Sequence, residues 1–396
     1  MEEIENLNIL KLNKKKFKKV KMKSSQKINS KIILVIILSF ILFFIFLLFI
    51  ISIIRKQKKK KIISINNSNN TNNNPIPINY INYNNNNVKD LENSNKNLIH
   101  ISYSLDEQLI YPTLVSMLSG LVNCEKNNFI IYHLLLSFNF NTEKIHIFES
   151  LKEKYDVNIN YYIIPNIFGS SIKWTEGTDC VYYKILLPFI FPDYERIIYL
   201  DGDTLIRKDI LEMYNYPFNN NYILGFPFYM GYVMEKHGIK KPEHYINGGC
   251  LLFNIKQMRK DHKDIDLLSI TIKNNTIWRF REQDAINYLF NKRIGFLPLK
   301  YGIYMIGSNK MFDLLSKYVY SPLNLTEGYE AIKDPSIVHF SCCWPKVWTN
   351  GTKNLFKNDE ICLRYQKEFY DYAKKTNYYQ VIYDMFFYRK KEEKKK

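Results

Sequence analysis

Cysteine is sparse and poorly spaced for metal chemistry. The six residues, Cys124, Cys180, Cys250, Cys342, Cys343 and Cys362, include no C-x-x-C pair and no framework spacing. That pattern argues against a structural zinc site and leaves disulfides open. No internal repeat is present. The body also lacks net charge, although the whole chain carries +18. Residues 1–61 hold 16 Lys/Arg against 3 Asp/Glu, and residues 389–396 hold six against two, so residues 98–388 are left at +1. The excess lies in the tails, and a nucleic-acid partner, which calls for a basic folded surface, is disfavoured. No small-residue cleavage site follows the long apolar run near the N-terminus, which argues against a cleaved signal peptide.

That apolar run is the first thing the sequence does contain. Residues 32–54 are 23 consecutive positions without a charge, nearly all Ile, Leu, Phe and Val. A hydrocarbon core about 30 Å thick needs about 20 helical residues, so the run is expected to span a membrane. Ten Lys lie from Lys11 to Lys31, against six Lys/Arg from Arg55 to Lys61. The larger cluster places residues 1–31 in the cytoplasm and the body in a lumen, a type II arrangement expected in the Golgi or ER. Asn-x-Ser/Thr triplets at Asn66, Asn69, Asn274, Asn324 and Asn350 suit a lumenal body, although an Asn-rich chain produces some by chance. Residues 55–97 read as a stem. Their Asn-dominated part, 62–97, has little apolar surface to bury, and about 36 flexible residues reach roughly 30 Å. Low-complexity expansion without a role is the alternative.

From residue 98 the pattern changes. Strand-like segments at 98–104, 128–136, 157–164 and 196–200 alternate with helical spacing at 111–121, 142–155 and 181–191. That alternation predicts an α/β body with a mostly parallel sheet, which binds ligands at the carboxyl ends of its strands. The second half is less regular, with an apolar run at 249–255, a helix at 283–290, and strands at 296–300 and 336–340. Helical spacing of Leu, Tyr and Phe over 358–378 suits either docking on the core or lying on a membrane surface. Aromatic content of 15 %, with 31 Tyr and 26 Phe, fits a packed body with stacking surfaces.

The sharpest local signal is Asp201-Gly202-Asp203 after the apolar strand Ile197-Ile198-Tyr199-Leu200. Two carboxylates one residue apart can converge on one hard divalent ion, Mg²⁺ or Mn²⁺, which could bridge a diphosphate. Asp-Gly alone is also an ordinary turn signal. Five other segments gain meaning beside it. Ser104-Leu105-Asp106-Glu107-Gln108 closes the first strand, where Asp106 could cap a helix. Lys184 precedes the acidic strand. Asn247-Gly248-Gly249 reads by itself as a hairpin turn. Glu282-Gln283-Asp284 reads by itself as an acidic helix start. Finally, His339 ends a strand and is followed by Lys346 and Trp348.

In this order, these motifs resemble glycosyltransferase family 8, the group of glycogenin and the bacterial lipopolysaccharide glucosyl- and galactosyltransferases. The resemblance covers residues 98–348. It implies a GT-A fold, a Rossmann-like mixed sheet flanked by helices, over the domain 98–396 with its basic helical C-terminal tail. It also implies retaining transfer of glucose or galactose from a UDP-sugar to a glycan acceptor. Asp201, Asp203 and His339 would hold Mn²⁺ or Mg²⁺. Ser104, Asp106 and Gln108 would meet uridine, and Gly202, Lys184 and Lys346 the phosphates. Asn247, Glu282, Gln283 and Asp284 would shape the sugar pocket. The chain departs from the family pattern at Glu282, Gly248 and Cys250, and in the loop after His339, where the usual Gly is missing and Val347 replaces Pro. A non-catalytic, membrane-tethered sugar-binding descendant is the alternative reading.

Overall fold

The computed structural model describes residues 79–81, 95–168, 179–228, 245–274, 278, 280–304, 325–341, 346–348 and 359–385. The expected membrane span at 32–54, the basic ends, most of the stem, and Cys342 and Cys343 lie outside the described residues. Among the described residues, no helix is long and apolar enough to cross a membrane. Cys124, Cys180, Cys250 and Cys362 are free thiols.

An eight-stranded mixed sheet organises the body. Its strands are β1 (Asn79–Ile81), β2 (Asn97–Leu105), β3 (Asn128–Leu136), β4 (Asn158–Ile163), β5 (Ile197–Leu200), β7 (Ile223–Pro227), β8 (Ile246–Phe253) and β9 (Ile294–Phe296). The spatial order is β1-β4-β3-β2-β5-β8-β7-β9. Strands β4, β3, β2 and β5 run parallel, as the alternating pattern predicts, while β8 runs antiparallel to both β5 and β7. A second sheet of three strands contains β6 (Thr204–Ile206), β10 (Ile303–Tyr304) and β11 (Ile337–His339), in the order β10-β11-β6. The chain therefore leaves the large sheet after Leu200 and joins the small one at Thr204. The turn between them is Asp201-Gly202-Asp203.

Side chains alternate across the large sheet with a period of two, and each face buries its own core. On one face Ile99, Ile101 and Tyr103 of β2 pack with Ile198 and Leu200 of β5 against α1 (Ile110–Asn123). On the other, Ile197 and Tyr199 meet Tyr182, Tyr183, Leu251, Phe253 and Ile286. Further helices are α2 (Lys263–Asn274), α3 (Glu282–Phe290), α4 (Leu325–Lys333) and α5 (Glu360–Ala373). Helix α5 docks on the core. Its Cys362, Tyr365, Phe369 and Ala373 are buried with Leu205, Val338, Phe340 and Trp348.

Several elements differ from expectation, each for a local reason. The expected helix at 142–155 is three short turns, in which the Ser150 hydroxyl bonds back to the Ile147 carbonyl at 2.6 Å. Such side-chain bonding competes with the helical ladder. The expected helix at 181–191 is a 3₁₀ segment, Asp179–Leu186, followed by the short turn Leu187–Ile190. Pro188 has no N–H to give back to residue 184, so a continuous α-ladder cannot form. Pro298 likewise ends β9 early, and Leu299–Tyr301 turns instead of extending. The Asn247-Gly248-Gly249 segment is no hairpin turn, because it lies inside β8. Within the expected stem, β1 pairs antiparallel with β4 at the sheet edge.

Candidate active site

Sheet pairing brings the separated motifs together. β5 runs parallel to β2, with Leu200 opposite Tyr103, so Asp201 emerges level with Ser104 at the carboxyl ends. β8 runs antiparallel to β5 with Cys250 opposite Leu200, and the Asp201 N–H donates to the Gly249 carbonyl at 2.8 Å. In the small sheet His339 pairs with Thr204, and the Phe340 N–H donates to the Asp203 carbonyl at 2.8 Å. Two sheets thus deliver Asp201, Asp203 and His339 to one point.

Their ligand atoms lie within 4.8 Å of one another. His339 Nε2 is 3.1 Å from Asp203 Oδ1 and 3.5 Å from Asp201 Oδ2. They can come this close because residue 249 has no side chain. A Cβ there would lie 2.1 Å from His339 Cε1 and 2.6 Å from Asp201 Oδ2. Two carboxylates and an imidazole nitrogen this close together form a donor set that suits Mn²⁺ or Mg²⁺. The turn that carries the aspartates is held from below by α1. Tyr103, Ser116 and Thr204 form a chain of hydroxyls with steps of 2.9 Å, and Thr204 donates to the Asp201 carbonyl at 3.0 Å. A Cβ on Gly202 would strike Thr113 Oγ1 at 2.2 Å, so any side chain at the centre of the motif would force the buried Thr113 to shift.

Two lysines flank the aspartates. Lys184 is almost fully buried, which excludes a solvated helix face. Its Nζ reaches the Gly248 carbonyl at 2.8 Å, Glu282 Oε1 at 2.9 Å and Asp201 Oδ1 at 3.3 Å. Burial pulls the Lys184 pKa down, but the Asp201 and Glu282 carboxylates outweigh it and hold the ammonium charged. Burial raises the Glu282 pKa, with Lys184 opposing. Lys346 Nζ lies 2.6 Å from Asp203 Oδ2 and 3.0 Å from the Phe340 carbonyl. Burial alone would raise the Asp203 pKa, yet Lys346 and His339 hold it well below the usual carboxylate range.

The expected sugar-pocket residues form one bonded group on β8 and the start of α3. Gln283 Oε1 accepts from the Gly248 N–H at 2.7 Å and from Asn247 Nδ2 at 3.1 Å. Its Nε2 donates to the Tyr245 hydroxyl at 2.9 Å, which in turn donates to Asp284 Oδ1 at 2.6 Å. Asp284 Oδ2 accepts from the Phe280 N–H at 2.9 Å, so this acid fixes the helix start. Arg281, just before the helix, takes a φ of 53°, a left-handed conformation unusual for a residue with a side chain.

The first-strand residues are placed differently from the rest. Ser104 is buried at the strand end. Asp106 accepts from the Gln108 N–H at 2.8 Å and caps the turn Glu107–Leu109, while Gln108 itself is exposed. Three positioning residues escape the sequence assignment. Tyr199 donates to Asp201 Oδ1 at 2.9 Å, and Tyr245 joins Gln283 to Asp284. Asn287 clamps β8, accepting from the Ile246 N–H at 2.7 Å and donating to the Ile246 carbonyl at 2.8 Å. Asn287 stands one helical turn after Gln283 and closes the Glu282–Asn287 motif that the sequence shares with the family, but sequence alone gives it no role.

A site of this architecture defines a class, and comparison with known proteins defines it further. The family model "Glycosyl transferase family 8" matches residues 100–352. The chain belongs to glycosyl transferase family 8. A Haemophilus influenzae protein named as a glycosyltransferase is 22 % identical over 265 residues, covering 65 % of this chain and 75 % of the relative. Among solved structures, the galactosyltransferase LgtC, in complex with donor and acceptor sugar analogs, matches with a TM-score of 0.56 and 16 % identity. That match covers 70 % of this chain and 96 % of LgtC. The bifunctional glycosyltransferase WbbM in its apo form matches with a TM-score of 0.58 and 17 % identity, over 73 % of this chain. This chain spans 52 % of WbbM's length. At these identities the two structures speak to the fold, which is the expected GT-A type.

Proposed function

We propose that this chain is a membrane-anchored, divalent-metal-dependent hexosyltransferase. It would move glucose or galactose from a UDP-sugar to a hydroxyl of a glycan or glycoconjugate, with retention of anomeric configuration. The observation that carries this reading is the convergence of Asp201, Asp203 and His339 beside Gly249. A bound Mn²⁺ or Mg²⁺ would supply positive charge against the donor's diphosphate. Lys346, whose ammonium lies 2.6 Å from Asp203 Oδ2, would add a second positive charge against the departing nucleotide. Lys184 acts more indirectly, since its contacts run to Asp201, Glu282 and the Gly248 carbonyl. Its work is to hold the metal ligand and the sugar-side acid in fixed relation.

Gln283 and Asn247, with Glu282 and Asp284 beside them, would line the sugar, and Asp106 and Ser104 the uridine. Electrostatic stabilisation of the leaving group then carries most of the rate enhancement. Purified full-length protein should hydrolyse UDP-glucose or UDP-galactose slowly with Mn²⁺. Asp203→Ala should reduce that turnover by roughly a hundredfold or more, by analogy with the loss of one oxyanion-stabilising group. Unchanged turnover in the variant would reject the assignment. Tight Mn²⁺-dependent UDP binding without turnover would favour the non-catalytic alternative.

The anchor at residues 32–54 and a lumenal body, in Golgi or ER, complete the proposal, supported by the uncharged run and the Lys clusters of the sequence. Glycosidase treatment of protein made in a eukaryotic host should then shift its gel mobility. No shift, with all the sequons intact, would argue for the opposite orientation.

A further inference from the structure

Asp201 has two carboxylate oxygens in different surroundings. Oδ1 accepts from the Tyr199 hydroxyl at 2.9 Å and faces Lys184 Nζ at 3.3 Å. Oδ2 faces His339 Nε2 at 3.5 Å and lies against Gly249. One oxygen is held by the protein, and the other is turned toward the ligand trio. Tyr199 can do this because strand alternation puts its ring on the same face as Lys184, whose Nζ lies 4.6 Å from the ring centroid. The ring is 1 % exposed and packs with the second core, so its hydroxyl has a fixed origin.

We propose that Tyr199 selects the metal: by occupying Oδ1 it restricts Asp201 to a single coordinating oxygen, favouring Mn²⁺ or Mg²⁺ over Ca²⁺. The proposal rests on the metal-site reading above and deepens it. Ca²⁺ collects about six to eight oxygens at roughly 2.3–2.6 Å and often takes both oxygens of a carboxylate, whereas Mg²⁺ demands about six ligands at roughly 2.0–2.1 Å. The hydrogen bond from the phenol engages a lone pair of Oδ1 and restrains the carboxylate from turning to a two-oxygen grip. Lys184 does not replace this restraint. Its contact with Oδ1 is longer, and its closer bonds go to Glu282 and Gly248.

The test is Tyr199→Phe, which keeps the ring and its contact with Lys184 and removes only the hydroxyl. Mn²⁺ binding to full-length protein is read by electron paramagnetic resonance, with Ca²⁺ as competitor, alongside wild type and Asp203→Ala. Wild type should bind Mn²⁺ in preference to Ca²⁺, and Asp203→Ala should lose Mn²⁺ binding. In Tyr199→Phe the Mn²⁺/Ca²⁺ affinity ratio should fall roughly tenfold, the scale seen when an outer-shell partner of a metal ligand is removed. The metal-free melting temperature is measured in parallel. A variant that lowers both affinities equally, or that melts lower with an unchanged ratio, makes the hydroxyl merely structural and overturns the proposal. If Asp203→Ala binds Mn²⁺ as wild type does, the metal-site reading itself fails and this inference fails with it.

Discussion

A methyl group on Gly249 would lie 2.1 Å from His339 Cε1, closer than any non-bonded carbon contact tolerates. His339 is buried and cannot retreat into solvent. Gly249→Ala should therefore displace the imidazole, weaken Mn²⁺ binding at least tenfold on the scale of outer-shell metal-site changes, and leave β8 paired. Calorimetric titration of Mn²⁺ checks this, and an unchanged affinity would show that His339 as placed here does not hold an ion. The residues that carry this chemistry were visible in the sequence because the acids, the histidine and the lysines sit in compact motifs. The residues that aim them were not. Tyr199 and Tyr245 are two of 31 tyrosines, and only the fold shows which phenols meet carboxylates. Asp106 shows the converse, since its capping bond to Gln108 is a local event that sequence reasoning does foresee.

At the level of elements, helix α5 supports the site from behind. Phe369 is buried, with its ring centroid 5.8 Å from that of Phe340 and 5.7 Å from that of Trp348. Those two residues bracket Lys346, which bonds to the Phe340 carbonyl. Truncation of a buried Phe costs about 3–5 kcal/mol. Phe369→Ala should cost that much in denaturant unfolding and should raise KM for the proposed UDP-sugar donor more than it lowers kcat. A pure stability loss with kinetics unchanged would separate the helix from the site. The parallel strands were legible because each is a continuous apolar run bounded by polar turns. The broken helices were not, because their breaks depend on single residues. Pro188 and Ser150 interrupt stretches whose apolar spacing is otherwise helical.

For the whole molecule, acid should act through an aromatic cluster remote from the aspartates in sequence. His100 Nδ1 lies 3.1 Å from His133 Nε2, and His133 Nδ1 lies 3.2 Å from the Tyr162 hydroxyl, with Phe191, Tyr194 and Tyr214 packed around. Burial lowers the His100 pKa from 6.5 to about 4, and that of His133 also falls well below its usual value. A histidine whose folded pKa is depressed takes up its proton more readily when unfolded. Stability from this pair is therefore fully present above pH 6.5 and is lost as pH falls toward 4. Urea unfolding of His100→Gln should show a shallower decline across that window than wild type. Equal slopes would remove the pair from the acid response.

The passage of the chain from the large sheet to the small one gives the ion a mechanical meaning. Asp201 ends a strand of the first sheet, Asp203 precedes a strand of the second, and His339 belongs to the second alone. A cation gripped by all three would rivet two separately laddered layers. Saturating Mn²⁺ should thus raise the unfolding temperature and slow amide exchange in β8 and β11 in step. Protein stripped of metal would loosen first along that seam.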